Sequence, residues 1–420
     1  MIFTNVQINY CPICGSNNIK LFLDLGNQPP ANDLKDSVDS ALNCPRFGLS
    51  LLICDECLYV WLPNIVSPEK LFSNNTYLTG VSSQTRDDMR DFAEDCLRTC
   101  NISKESAVLD IASNDGTLLS YFKQEGCRVL GVDPSRPAYE IAIANGIDTL
   151  NCLFDSDVAE SIRTAHGKMD LITATNIITH VPDPYAFLIN CKNLLKPKGS
   201  IAVEFYNFES MISNSAFDQI YHEHISYFNF TTFSRLLNNV GLEAYKVEQV
   251  NSQGGSLRVF ISFPDSRNID HSVKNMLEME GGFEAIKSRY YRFPQRVAKI
   301  KEDILELLEK EIRNGNKIVG YGASAKATVL LNYLNLSSSQ IMAIADKSQI
   351  KQGKFVPGVA IPIISPHKLA ALNPNIVIIF AWNLKREIAY FLNQIFPGYV
   401  RILTLIPEIS FLKSVKEGQI

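Results

Sequence analysis

Residues 107 to 135, AVLDIASNDGTLLSYFKQEGCRVLGVDPS, constrain the architecture more than any other stretch. An apolar strand runs into a glycine-containing turn, then an amphipathic helix, then a second strand that ends on an acid. This is the opening βαβ of a doubly wound sheet, in which ligands bind at the carboxyl ends of the strands. Further strands read as DLITATN (170 to 176) and GSIAVEF (199 to 205), separated by a helical DPYAFLINCKNLLKPKG. A long helical stretch, FEAIKSRYYRFPQRVAKIKEDILELLEKEIRNGNK, comes next with apolar residues at helical spacing. Then KIVGYGASAKATVLLNYLNL, QIMAIADKS and NIVIIFAWN repeat the strand, turn, helix, strand scheme in a second, smaller α/β unit. A chain of 420 residues exceeds one hydrophobic core. The expected division is a cysteine-bearing module over 1–75, a Rossmann-like α/β domain over 76–265 and a smaller α/β domain over 266–420.

The first segment holds Cys11-Pro12-Ile13-Cys14-Gly15 and Cys54-Asp55-Glu56-Cys57. Each pair is a knuckle that turns two thiolates toward one face of a tetrahedral ion, and two knuckles complete the shell. Four cysteines leave no open position for a substrate water, so the site is structural. The other six cysteines show no such pairing and read as small apolar residues. The N-terminal MIFTNVQINYCPICG lacks the charged and apolar regions of a secretory signal. Reduced thiols in a cytoplasm are therefore expected. No apolar run approaches the ~20 residues of a membrane span. A net charge of −4 without a basic stripe argues against a nucleic-acid-binding zinc-knuckle protein.

The turn DIASNDG lacks the G-x-G-x-x-G of dinucleotide sites. Asp110 ends one strand, Ser113, Asn114 and Gly116 occupy the turn, and Asp133 ends the next strand. An acid at the latter position hydrogen-bonds a ribose diol, which NAD and S-adenosylmethionine both possess. Few glycines and no lysine favour a ligand without a pyrophosphate, hence S-adenosylmethionine over NAD. Downstream, AFDQIYHEHISYFNF concentrates Tyr221, His222, Glu223 and His224, two of the six histidines. Extended, the stretch puts His222 and His224 on one face; helical, it puts Tyr221 with His224. A metal site, a proton-transfer set and a polar loop all use such residues, but the spacing is not H-E-x-x-H. His180 in NIITHVPDP comes after a strand end, with Asn176 four residues earlier near cofactor or substrate. The turn Gly320-Tyr321-Gly322-Ala323-Ser324-Ala325-Lys326 precedes a helix, so its N–H groups and the lysine charge suit an anion. Trp382 and Asn383 close a later strand.

Taken in order, CPICG…CDECLYVWL, DIASNDGTLL, GVDPS, NIITHVPDP, FDQIYHEHISYFNFTTF, QGGSLRVF, GYGASAKATVLLNY and PGVAIPI…FAWN resemble the sugar C-methyltransferase family. The likeness runs from about residue 11 to 385. It implies a zinc-binding N-terminal domain, a central S-adenosylmethionine domain and a C-terminal α/β domain that helps hold a nucleotide sugar. It also implies an enzyme that methylates C3 of an NDP-linked 4-keto-deoxysugar, working as a monomer or weak homo-oligomer. The 4-keto group acidifies the C3 hydrogen, and the resulting enolate attacks the methyl donor. The family places its base at the position of His224, with Tyr221 and Glu223 lining the same pocket, His180 as a second histidine and Tyr77 as an active-site tyrosine. Ala323, Ser324 and Lys326 belong to the loop that in this family helps bind the nucleotide-sugar diphosphate, and Trp382 and Asn383 are further candidates for contact with the base or sugar. Cys11, Cys14, Cys54 and Cys57 correspond to the zinc ligands. Three positions depart from the family: Ala112 replaces the first glycine of D-x-G-S-N-D-G, Gln253 replaces a histidine before GGS, and Ser324 replaces a proline. Ala112 is expected to crowd the cofactor approach. The competing readings are an O- or N-methyltransferase on a similar sugar, and an NAD(P)-dependent ketosugar oxidoreductase using GYGAS.

Overall fold

The structure is a computed structural model, and it describes residues 10–67, 71, 78–396 and 400–412. In chain order the N-terminal strands are β1 (Ile19–Gln28), β2 (Phe47–Cys54) and β3 (Val60–Trp61). Next come β4 (Ala107–Ile111), β5 (Arg128–Val132), β6 (Thr149–Leu150), β7 (Met169–Thr175), β8 (Leu195–Tyr206), β9 (Ser226–Tyr227), β10 (Glu243–Val250) and β11 (Ser256–Ser262). The C-terminal strands are β12 (Ile318–Tyr321), β13 (Ile344–Ala345), β14 (Ile363–Ile364), β15 (Ile376–Ile379), β16 (Arg401–Thr404) and β17 (Ser410–Leu412). The chain gathers into two compact units. One takes Met1–Lys20, Leu52–Ser210 and Ile225–Lys287; the other takes Leu21–Leu51, Met211–His224 and Ser288–Ile420.

The first unit is built on a seven-stranded sheet ordered β10-β11-β8-β7-β4-β5-β6. β11 runs antiparallel to both of its neighbours, while β8, β7, β4, β5 and β6 pair in parallel. Every residue of β4 is buried, as a parallel strand covered on both faces requires. One face carries the Leu109, Ile111, Ile172 and Val203 cluster, and the other the Phe92, Leu118, Leu119 and Phe122 cluster. The order reverses between β4 and β7, so the switch point lies at the carboxyl ends of those two strands. The segment read as helical through LKPKG divides instead: the helix Pro184–Leu194 stops and β8 begins at Leu195. Pro197 has no N–H for a continuing helix, and Leu195 pairs with Met169 before a register shift.

The second unit carries a six-stranded sheet ordered β14-β13-β12-β15-β16-β17, parallel except for β17. Its long helix, Gly282–Arg313, has Pro294 inside it and starts in the first unit. The α/β expectation for both sheets therefore stands.

The βαβ turn of the first unit contains a residue that departs from the family pattern. Ala112 has φ 60°, in the left-handed region, with Asn114 at φ 50° and Gly116 at φ 77° after it. The family glycine at this position thus answers a backbone need, and alanine pays about 1–2 kcal/mol to stand there. Gly is expected to relieve that strain and to return about 0.4–1 kcal/mol to the unfolded chain. Ala112→Gly should therefore raise the melting temperature by about 1–3 °C. A lower melting temperature by differential scanning calorimetry would show that the methyl packs favourably.

Candidate functional site

At the carboxyl end of β4, Asp110 is 2% exposed and accepts a hydrogen bond from Thr173 Oγ1 at 2.7 Å. The pair sits in register across the switch point. Burial, with Asp133 nearby, pushes the Asp110 carboxyl up to about 7. Asp133, one strand over, accepts Asn114 N–H on Oδ2 and Ser135 N–H on Oδ1, both at 2.8 Å. Each carboxylate oxygen keeps a lone pair, enough to receive two vicinal hydroxyls. The Ser113 hydroxyl is buried and has no hydrogen-bond partner among the described residues. A Cβ on Gly131 would lie 2.4 Å from that hydroxyl, so this glycine lets the turn sit down on the strand. An orphan hydroxyl beside a braced strand-end acid fits the ribose and amino-acid ends of S-adenosylmethionine.

Two contacts close this turn from outside and were not legible in the sequence. Thr79 N–H donates to Asn114 Oδ1 at 2.9 Å, and Gly80 N–H donates to Asp115 Oδ2 at 2.7 Å. Gly80 has no room for a side chain, since a Cβ would meet Thr117 Oγ1 at 2.8 Å. Tyr77, singled out in the sequence, lies outside the described residues. Asn176 stands just past β7 with φ 55° and donates its N–H to the Glu204 carbonyl at 2.7 Å.

The four knuckle cysteines come together. Cys11 and Cys57 sulfurs are 3.5 Å apart, as are those of Cys14 and Cys54, and all four lie within 4.8 Å of one another. Zn–S bonds of ~2.3 Å in a tetrahedron set sulfurs roughly 3.8 Å apart, so the donor set fits zinc. The knuckles share a geometry: Gly15 N–H bonds to Cys11 O, and Leu58 N–H to Cys54 O, each residue at positive φ. One helix, Phe230–Asn239, reads both knuckles. Thr232, Arg235 and Asn239 donate to the carbonyls of Cys57, Glu56 and Ile13 at 3.4, 3.2 and 2.8 Å. The spacing i, i+3, i+7 is a single helix face.

From the knuckle the chain enters β3, which pairs antiparallel with β9 through Val60↔Tyr227 and Trp61↔Ser226. Tyr59 adds a 2.6 Å hydroxyl contact to Ser226 and stacks on Phe228. The Ile225 and Ser226 N–H groups then both donate to the Thr179 carbonyl, at 2.7 and 3.0 Å. Thr179 is the residue before His180. Burial lowers the His180 imidazole to about 4, so it is neutral at pH 7.

The YHEH stretch takes the helical-turn alternative. His224 N–H bonds to the Tyr221 carbonyl at 2.8 Å, and the two rings lie tilted against each other at 35° with centroids 3.9 Å apart. His224 Nδ1 lies 2.6 Å from the Gln219 carbonyl. A carbonyl only accepts, so Nδ1 carries the hydrogen, and in the uncharged ring the lone pair lies on Nε2. Glu223 accepts from Asn32 Nδ2 at 2.6 Å, and burial pushes its carboxyl up to about 7. His222 points elsewhere: it is 1% exposed, edge-on to Phe47, and burial lowers it to about 4.

In the second unit Gly322 turns at φ 90° and Ser324 caps the helix Ala325–Tyr333. Ala323 N–H is taken by Asp346 Oδ2 at 2.9 Å, and Ser324 N–H by the Gly322 carbonyl. Lys326 is 9% exposed rather than solvated. Its Nζ donates to Asn383 Oδ1 at 2.8 Å and lies 4.6 Å over the Trp382 ring. Trp382 and Asn383 belong to a 3-10 turn after β15, not to the strand itself. Trp382 Nε1 donates in turn to Asp218 Oδ2 at 2.9 Å. Asp218 lies inside the quoted FDQIYHEHISYFNFTTF stretch, but nothing local assigned it a role; an acid among apolar residues was the available signal.

Two measurements test this geometry. Stripping zinc with a chelator is expected to release amide protection at Leu62, whose N–H donates to the Ile225 carbonyl at 2.8 Å, and at Ile225 and Ser226, before that of β4 and β8. Unchanged protection at those three amides in zinc-free protein would disconnect the knuckles from β9. The second concerns Asp110, whose folded pKa lies above its unfolded one, so the native state holds the extra proton. Stability from this group falls as pH rises from about 4 to about 7. Asp110→Asn should flatten that part of the melting-temperature profile; an identical slope would refute the assignment.

Three family models cover the chain. Residues 11–72 match the "Putative zinc binding domain", 82–247 the "Methyltransferase domain" and 251–407 the "C-methyltransferase C-terminal domain". The C-methyltransferase NovU of Streptomyces niveus is 30% identical over 406 residues, 96% of each chain. A ubiquinone biosynthesis O-methyltransferase of Haemophilus ducreyi is 32% identical over 106 residues, 24% of this chain and 45% of that one. Among solved structures, the PH0226 protein of Pyrococcus horikoshii aligns over 44% of this chain and 94% of its own, at 14% identity and TM-score 0.36. With NovU matching along nearly its whole length, and with the four thiols gathered as its first module requires, the chain belongs to the C-methyltransferase family and is a methyltransferase.

Proposed function

We propose that the protein methylates C3 of an NDP-linked 4-keto-6-deoxysugar, using S-adenosylmethionine and an enolate formed by a histidine base. The observation that carries this reading is the His224 Nδ1 bond to the Gln219 carbonyl. It fixes the tautomer and leaves Nε2 as a base, which a carbon acid needs and a hydroxyl acceptor needs far less. When bound, S-adenosylmethionine supplies an electrophilic methyl group. Asp133 would take its ribose hydroxyls, while Asp110, Ser113, Asn114, Gly116 and Asn176 line the same strand ends.

The remaining roles concern the proton and the oxyanion. Tyr221, whose ring lies tilted against that of His224, offers a hydroxyl to serve the enolate oxygen, and Glu223 belongs to the same turn. His180, neutral through burial, is the second candidate for base or enolate partner. Tyr77 keeps the active-site role that the family resemblance implies. For the substrate diphosphate, the first turn of the Ala325–Tyr333 helix offers the Ala325 and Lys326 N–H groups, which have no intrahelical acceptor. Ala323 and Ser324 shape that turn.

The test is a panel of dTDP-, GDP- and CDP-linked 4-keto sugars with S-adenosylmethionine, read by mass spectrometry and NMR. A new methyl on C3 of at least one member is expected, together with solvent deuterium exchange at C3 without the methyl donor. No methylated sugar across the panel would sink the proposal, and methylation at oxygen without C3 exchange would replace it. His224→Gln should lower kcat by about 100-fold or more. Near-full activity of that variant would move the base to His180.

A further inference from the structure

We propose that Asp218 is a positioning residue for His224, acting through the 3-10 turn Phe217–Gln219 that carries the Gln219 carbonyl. The inference rests on His224 being the base, and its test separates the two ideas. The carbonyl that holds Nδ1 belongs to a three-residue turn in which Gln219 N–H donates to the Ala216 carbonyl and Ile220 N–H to the Phe217 carbonyl. Such a turn has weak hydrogen-bond geometry of its own and takes its orientation from what it packs against.

Two side chains of this turn pin it. Phe217 is fully buried, edge-on to Tyr333 with centroids 5.4 Å apart. Asp218 is 1% exposed and takes the Trp382 indole N–H on Oδ2. Its Oδ1 is buried with no hydrogen-bond partner among the described residues. A buried carboxylate with an idle oxygen is costly unless a charge compensates it. That charge is Lys326, whose ammonium is held over the same indole and by Asn383. Lys326 and Asp218 each feel the other's charge against the cost of burial. Acid, indole, ammonium and amide thus form one closed set: Asp218 to Trp382, Trp382 under Lys326, Lys326 to Asn383.

This set explains why Lys326 is drawn inward although it stands just after a turn suited to anions. It also explains why position 218 is an acid. Asparagine could accept the indole N–H, but it would leave the buried Lys326 ammonium without its compensating negative charge. The turn would loosen, and the Gln219 carbonyl would no longer select one tautomer of His224.

The experiment compares Asp218→Asn and Trp382→Phe with wild type in two readouts. The first is the ¹⁵N chemical shift pair of the His224 ring, which reports the tautomer without substrate or cofactor. The second is the split between kcat and KM for the 4-keto sugar. Both variants are expected to shift His224 from a pure Nδ1–H form to a mixture, and to lower kcat by about 10–100-fold with KM within threefold. An unchanged His224 tautomer in both variants overturns the proposal, as does a raised KM with kcat intact, which would make the set a substrate contact. A shifted tautomer with wild-type kcat supports the positioning role and refutes His224 as base. Trp382→Phe keeps the acid and its charge partner, so it carries the test if Asp218→Asn fails to fold.

Discussion

The two-residue pairing of β3 with β9 is the contact on which the arrangement of the first unit's strand-end rim near Thr179 depends. A pair this short would not persist alone in water. It persists because each strand is the end of something rigid: β3 leaves a four-thiol knuckle, and β9 leads through Phe228 and Asn229 into the helix that reads both knuckles. That helix is itself fixed at its start, where Glu280 accepts the Phe230 and Thr231 N–H groups at 2.7 and 2.8 Å. The free energy of closing the metal shell is folding free energy. Here it is delivered to Ile225 and Ser226, and through them to the Thr179 carbonyl. A metal that takes no part in the chemistry can thereby set where His180 stands.

The features legible in the sequence are local ones. The CxxC pairs, the strand-turn-helix-strand runs and Asp133 are readable because the groups that cooperate lie within a few residues, or at an offset fixed by one βαβ unit. Ala112 was legible as a departure, and its positive φ shows why glycine is the family choice. Asp218 was not legible, because the group that gives it meaning, Trp382, lies 164 residues away. The inward turn of Lys326 was hidden for the same reason. The helix end before β8 is hidden because LKPKG keeps helical composition while Leu195 already pairs with Met169.

The two α/β units share a device that composition alone does not show. Asp133 accepts one N–H from its βα turn and one from Ser135, two residues on. Asp346 does the same, with Ala323 from its βα turn and Ser348 two residues on, at 2.9 and 2.8 Å. A strand-end acid braced in this way orders the turn before any ligand arrives, so little conformational entropy remains to be lost on binding. The two turns differ in the polar group they place beside the acid. The first holds a serine hydroxyl with no partner among the described residues, whereas the second turns its lysine to Asn383 and over the Trp382 ring.

Main-chain carbonyls place both candidate histidines, one directly and the other through the adjacent peptide. Thr179 receives two N–H groups from the start of β9, and Gln219 receives the ring hydrogen of His224. A carbonyl orients an imidazole without adding a full negative charge, so it selects a tautomer while leaving basicity close to that of a neutral ring. A carboxylate in its place would raise the pKa and hold the proton after abstraction, which disfavours passing it on. For a carbon acid whose proton must leave before a methyl arrives, a moderate base in a fixed tautomer is the better match. Such a carbonyl is only as well aimed as the backbone behind it. The chain meets that need with the zinc knuckles in one unit and with the buried Asp218, Trp382, Lys326 and Asn383 set in the other.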